Sequence, residues 1–211
     1  MKKMLMVLFL ALFCIGGTAY SNEIEILPTS YSFDKYPGGR GSDYPDETGN
    51  QLIDGITGIA PWTADLGNGR AYEWVGWGHH NNPVNIDFDF DSPTRIDKIV
   101  VGTVQDHIGD VVVPDIDIFY SSDATSWTSA ASLVNRESSL NDNTRFDFIF
   151  DELEIDAQYV RVHLSFNYDG PWIFSDEIDF FQTSPVPEPA TLLLLGLGLI
   201  GLAGIGRKRR H

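Results

Sequence analysis

Val84-Asn85-Ile86-Asp87-Phe88-Asp89-Phe90 puts an apolar side chain at every second position and a polar one between. A strand turns successive side chains to opposite faces, so this period of two predicts a sheet with one packed face and one wet face. The pattern recurs outward from this stretch. Ile96 to Val104 reads as a second strand, entered through the turn Asp91-Ser-Pro-Thr94. Ile116, Ile118 and Tyr120 alternate with Asp115, Asp117 and Phe119, and Phe146, Phe148 and Phe150 with Asp147 and Ile149. Val160, Val162 and Leu164 alternate with Arg161 and His163, and a last strand covers Ile173 or Phe174 to Phe181. No long 3.6-residue apolar period occurs between Tyr20 and Pro185. Short strands separated by turns predict an all-β fold, an antiparallel β-sandwich or jelly roll.

On the N-terminal side, Ile24-Glu-Ile-Leu27 is a brief alternation. From Tyr36 to Gly49 the residue types are those of turns, which predicts a long loop into Gln51-Leu-Ile-Asp-Gly55. The span from Tyr20 to Pro185 is 166 residues, the size of one domain with a sizeable core. It carries 29 Asp or Glu against 8 Lys or Arg, a formal charge of −21. Such a surface repels phosphate backbones, which argues against nucleic acid as a partner, and it suits divalent cations or neutral glycans. Acidity also serves simply to keep an exported protein soluble.

Both ends read as export and sorting segments. Met1-Lys-Lys3, the apolar run Met4 to Ile15 and small Gly17-Thr-Ala19 form the three parts of a signal peptide over residues 1–19. The single cysteine, Cys14, falls within it, so the remaining chain must be held by its core rather than by disulfides. At the other end residues 183–189 form a linker ending in Pro187-Glu188-Pro189. Residues 190–206 form an uncharged Gly/Leu-rich stretch, and residues 207–211 a basic tail. As a helix the stretch is about 25 Å long, enough to span a bilayer, and the cations would hold the tail in the cytoplasm. This order closely resembles the PEP-CTERM sorting signal of Gram-negative bacteria. The resemblance implies transient anchoring in the inner membrane, then action of an exosortase at Pro187, Glu188 and Pro189, then delivery to the cell surface or the extracellular matrix.

The middle of the chain resembles the discoidin or factor V/VIII type C family of galactose-binding-like jelly rolls, placed here over residues 20–182. The matching pieces are Leu52-Ile-Asp-Gly55 with Trp62, Trp74-Val75, Val84 to Phe90 and Ile96-Asp-Lys-Ile-Val100. Ile116 to Asp123 with Trp127, Tyr159-Val-Arg-Val162 and Ile173 to Phe180 complete the series. The resemblance implies a structural Ca²⁺ held by the Asp54 side chain, carbonyls near Ile53 and Thr57, and Glu177. A tight Asp-Gly loop offers the oxygen ligands that Ca²⁺ takes, although Asp before Gly is also ordinary turn chemistry. The resemblance also places Trp62 and Trp127 in the core.

Three stretches are candidate ligand loops. In Gly76-Trp-Gly-His-His-Asn-Asn-Pro83, Trp77 would expose a ring face to a sugar while His79, His80, Asn81 and Asn82 bond hydroxyls; alternatively Trp77 plugs the end of the sandwich. Asp106-His107 lies in a loop between two strands, and Tyr168 and Trp172 flank Asp169-Gly-Pro171 near the end of the domain. Asp87/Asp89 and Asp115/Asp117 lie on wet strand faces with no pocket to raise a carboxyl pKa, so a glycoside hydrolase is disfavoured. No nucleophile elbow, P-loop or dinucleotide fingerprint is present. The expected activity is non-catalytic binding of carbohydrate or exopolysaccharide. The alternative is an acidic structural matrix protein with no specific ligand.

Overall fold

The computed structural model describes residues 21–38, 44–60, 62, 73–78, 81, 83–106, 111–134, 143–166 and 172–185. The signal peptide, the sorting helix, the basic tail and Pro187-Glu188-Pro189 lie outside the described residues. No described helix is long and apolar enough to cross a membrane. Ile24–Thr183 forms one compact unit, and the chain ends form another, described only at residues 21–23 and 184–185.

The described regular elements are ten strands. They are β1 (Ser21–Glu25), β2 (Ser30–Phe33), β3 (Val75–Gly78), β4 (Val84–Ile96), β5 (Lys98–Gln105), β6 (Asp115–Ser121), β7 (Thr128–Leu133), β8 (Thr144–Phe150), β9 (Ile155–Ser165) and β10 (Trp172–Pro185). One sheet runs β1-β10-β5-β8, with β3 also paired to β10, and the other runs β2-β4-β9-β6-β7. The β4/β9, β6/β9, β5/β8 and β10/β5 ladders are all antiparallel. The protein is an antiparallel β-sandwich.

The period of two decides which side chains fill it. Val84, Ile86, Phe88 and Phe90 of β4 face inward with Val160, Val162 and Leu164 of β9, against Ile99, Val101, Ile178 and Phe180 from the other sheet. Phe180 meets the rings of Phe88 and Phe90 at 4.9 and 5.1 Å, near edge to face. The outward residues of β4 and β9 do not simply face water. Arg161 grips Asp87 through two bonds of 2.6 and 2.7 Å, and His163 Nδ1 lies 2.7 Å from Asn85 Oδ1.

Three expectations are corrected. Asp91-Ser-Pro-Thr94 does not separate two strands: β4 runs through it, with a register shift between Asp89 and Thr94 and Asp91 at φ 61°. Gly76, Trp77 and Gly78, expected within a loop, belong to a strand, Val75–Gly78, that is buried at all four positions. Trp127 is half-buried, outside the apolar core, with the Arg161 guanidinium 4.1 Å above its ring.

Candidate functional site

The pairing of β10 brings the roots of the three candidate loops together. Trp172 stands opposite Gly78, Val111 bridges Trp172, and Asp106 bridges Val111. Val112 N donates to the Trp172 carbonyl at 2.9 Å. Gly78, Asp106, Val111 and Trp172, which border segments 79–80, 107–110 and 167–171 in the sequence, are therefore linked by strand and bridge pairing. Gly38 N also joins this end, donating to the Gly76 carbonyl at 2.6 Å, while Gly76 N donates to Tyr44 at 3.0 Å.

An aromatic group occupies the same end. Trp62 and Trp172 both lie nearly parallel to Phe174, at 14° and 18°, with ring centroids 5.4 and 5.7 Å away. Tyr44 meets Trp62 edge-on at 5.1 Å and Phe174 at 5.0 Å. Phe174 is buried, whereas Tyr44, Trp62 and Trp172 are half-buried. Two glycines of β3 make the arrangement possible. A Cβ on Gly76 would sit 2.5 Å from the Phe174 ring, and one on Gly78 would sit 2.9 Å from the Trp172 indole. Trp62 Nε1 donates to Asp106 Oδ2 at 3.2 Å, so a carboxylate borders the rings. Half-exposed indoles backed by a buried ring can take the apolar face of a sugar.

The candidate ligand residues divide sharply. Trp77 is 1% exposed, its Nε1 donates to the Lys35 carbonyl at 3.2 Å, and Phe33 packs edge-on against it at 5.4 Å. Buried in β3 it offers no ring face to a sugar, which corrects that expectation. Asn81 Nδ2 donates to the carbonyls of Tyr36 and Gly38 at 2.9 and 3.0 Å, holding the chain rather than facing outward unbonded. Asp106 and Trp172 belong to the aromatic end. His79, His80, Asn82, His107 and Tyr168 lie outside the described residues. Sequence reasoning missed Tyr44 and assigned Trp62 to the core. The one signal for Trp62 was that no alternating pattern surrounds it.

The second feature is a set of carboxylates. β10 slips register between Ser175 and Ile178, and the two intervening residues, Asp176 and Glu177, turn toward the loop after β2. Glu177 Oε2 accepts from Gly55 N at 3.1 Å, and Asp176 Oδ2 from Gly58 N at 2.7 Å. Ile178 N donates to the Leu52 carbonyl at 2.8 Å. Burial pushes the Glu177 carboxyl up to about 8, helped by the charges of Asp179, Asp54 and Asp176. Asp54 is raised by burial and by Asp46, while its Oδ1 accepts from Ile56 N at 3.0 Å. Ile53 is half-buried and Thr57 exposed. Among the described residues no three His, Cys, Asp or Glu side chains gather as a metal-binding group. A cation between Asp54 and Glu177 would complete its shell with carbonyls or water. Two carboxyl side chains and loop carbonyls are the kind of oxygen donors that a hard cation takes.

A family model described as F5/8 type C domain matches residues 41–178. The chain belongs to the F5/8 type C domain family. Its sandwich resembles a solved structure described as truncated AlyQ with CBM32 and alginate lyase domains. The TM-score is 0.53 at 14% identity, covering 79% of this chain and 35% of that one. It also resembles the CBM32 of AlyQ in complex with 4,5-unsaturated mannuronic acid, at TM-score 0.50 and 16% identity, covering 75% and 98%. The family 32 CBM of Clostridium perfringens NanJ, solved with galactose, follows at TM-score 0.48 and 13% identity, covering 76% and 100%. This F5/8 type C chain thus spans about a third of the first of these proteins. No curated protein matches it. A PEP-CTERM protein-sorting motif matches residues 185–210 and directs the F5/8 type C domain to export and to the cell surface or beyond.

Proposed function

We propose that this protein is a non-catalytic, surface-sorted carbohydrate-binding protein whose ligand rests on the Tyr44, Trp62 and Trp172 rings beside Asp106. The observation that carries the reading is the near-parallel arrangement of Trp62 and Trp172 on Phe174, with both indoles half-buried. An indole face left partly exposed can stack on a sugar's C–H face. The likeness to CBM32 structures supports the reading through the fold, and a fold by itself does not fix a ligand.

In this account an exosortase acts at Pro187, Glu188 and Pro189, and the released domain joins the exopolysaccharide matrix. A Ca²⁺ ion would be held by Asp54, Glu177 and the carbonyls of Ile53 and Thr57, supplying the positive charge that those carboxylates lack and fixing the loop against β10. The strongly acidic surface favours the second reading, a cation-bridged matrix block without a specific ligand.

A glycan array probed with the full chain, with Trp62→Ala and Trp172→Ala beside it, tests the proposal. Binding lost in both variants supports it. Binding retained in both removes the ring site, and no binding by any of the three leaves the matrix reading.

A further inference from the structure

The Arg145/Asp176 pair lies away from the aromatic rings, yet a continuous line of contacts joins the two. Asp176 sits in the β10 bulge with its side chain fully buried, and Arg145 of β8 reaches it with both Nε and Nη2, the latter at 3.1 Å from Oδ1. β5 lies between those two strands. The side chains meet across it at Gly102, where a Cβ would fall 2.0 Å from Asp176 Oδ1 and 2.4 Å from Arg145 Nη2. Two backbone donors complete the carboxylate's shell: Gly58 N at 2.7 Å and Glu177 N at 2.8 Å. A forked guanidinium fixes the plane of the carboxylate it grips, which an ammonium cannot do.

From Asp176 the line continues through the 55–59 loop. Gly58 lies flat against the Trp74 indole, so close that a Cβ would be 2.3 Å from Cε2. Trp74 Nε1 donates to the Ile59 carbonyl at 3.2 Å. Trp74 is fully buried in one apolar cluster with Phe174, and Tyr44, Trp62 and Trp172 pack on that cluster. The Asp176–Gly58 and Gly58–Trp74 steps are buried contacts with little room to adjust, and packed interiors transmit displacement rather than absorb it.

We propose that Arg145 is a positioning residue for the aromatic end of the domain, acting through Asp176, Gly58 and Trp74; its functional meaning rests on the ring site proposed above. Arg145 orients Asp176, Asp176 fixes Gly58, and Gly58 sets the plane of Trp74 against Phe174. The rings that Phe174 backs then hold one mutual orientation, which lowers the entropy lost when a ligand settles on them.

Fluorine NMR of the full chain labelled with 5-fluorotryptophan tests this, because its five tryptophans include both the rings in question and a remote control. Trp127 lies under Arg161 on the outer face of the other sheet. Arg145→Met removes the charge, and Arg145→Lys keeps the charge but loses the fork. The account expects the Trp74, Trp62 and Trp172 resonances to shift or broaden in both variants while Trp127 stays in place. Should Arg145→Met fail to fold, Arg145→Lys alone decides. For any glycan that the wild type binds, affinity should fall roughly 2- to 30-fold, the range by which residues distant from a ligand modulate a coupled site. Unmoved Trp74, Trp62 and Trp172 signals would overturn the inference, as would equal displacement of all five. If the wild type binds no glycan, the ring site falls, while the fluorine spectra still decide whether Arg145 positions the rings.

Discussion

Gly102→Ala is the sharpest perturbation available, because two arguments predict opposite signs for it. Gly102 lies in β5 opposite Asp147, and no positive φ excludes alanine there. On backbone grounds alone the substitution should stabilise by about 0.4–1 kcal/mol, since it narrows the unfolded ensemble. The structure places the new Cβ 2.0 Å from Asp176 Oδ1 and 2.4 Å from Arg145 Nη2. Arg145 can swing away, being the far end of a long side chain. Asp176 cannot, because Gly58 N, Glu177 N and its own short stem hold it. The ion pair must then separate or the strands must move apart. Breaking a buried pair costs about 3–5 kcal/mol, and overpacking alone costs about 1–3. We therefore expect Gly102→Ala to destabilise by about 3 kcal/mol, a large share of the roughly 5–15 kcal/mol that holds a domain folded. Urea unfolding of wild type and variant measures it, the midpoint falling with an unchanged slope. In an Arg145→Met background the penalty should shrink, because one of the two obstructing groups is gone. A neutral or stabilising Gly102→Ala would refute the proposed crossing over β5.

Further outcomes concern Glu177, Asp97 and Trp127. The Glu177 carboxyl is raised to about 8, so the native state holds its proton more tightly than the unfolded chain; in EDTA, stability should be highest below the unfolded value and fall as pH rises toward 8, by at most about 1.4 kcal/mol per pH unit. Glu177→Gln should flatten that slope, and Ca²⁺ at pH 8 should raise the Tm of the wild type but not of Glu177→Gln or Asp54→Ala. Asp97 behaves in the opposite sense: it accepts from Thr183 N and Oγ1 at 2.8 Å each and pairs with Arg95, contacts that hold its pKa below the usual range against the cost of burial. Its contribution should be present above the ordinary aspartate value and be lost as pH falls, and Asp97→Ala should remove that acid dependence from the melting profile. Trp127→Ala should cost only about 1 kcal/mol in thermal or urea melts, the scale of a half-exposed cation–π contact, against about 3–5 for a core tryptophan.

How far the sequence carried is best seen strand by strand. β4, β6, β8 and β9 were legible because each buries one face, and that imposes a period of two which residue types reveal. β3 was not, because all four of its residues are buried and nothing alternates. Its glycines read as loop chemistry, whereas they leave room for the rings of Phe174 and Trp172. β7, Thr128–Leu133, consists of small and polar residues on a sheet edge and carries no apolar signal.

Of the residues at the proposed ring site, Asp106 and Trp172 were candidates from sequence as polar and aromatic residues next to turn signals. Trp62 was not, because an indole half-open to solvent and one fully buried look alike in sequence. Asp176 was likewise missed: Ser175-Asp-Glu-Ile178 reads as a lapse in alternation, and only the register slip shows that the lapse aims two carboxylates at a distant loop.

The most direct test of the central claim is calorimetric titration of the full chain with the host's own extracellular polysaccharide, beside Trp62→Ala and Trp172→Ala. We expect saturable heat for the wild type and its loss in both variants, with their folds intact by far-UV circular dichroism. Saturable heat that survives both substitutions, or none from the wild type, would contradict it.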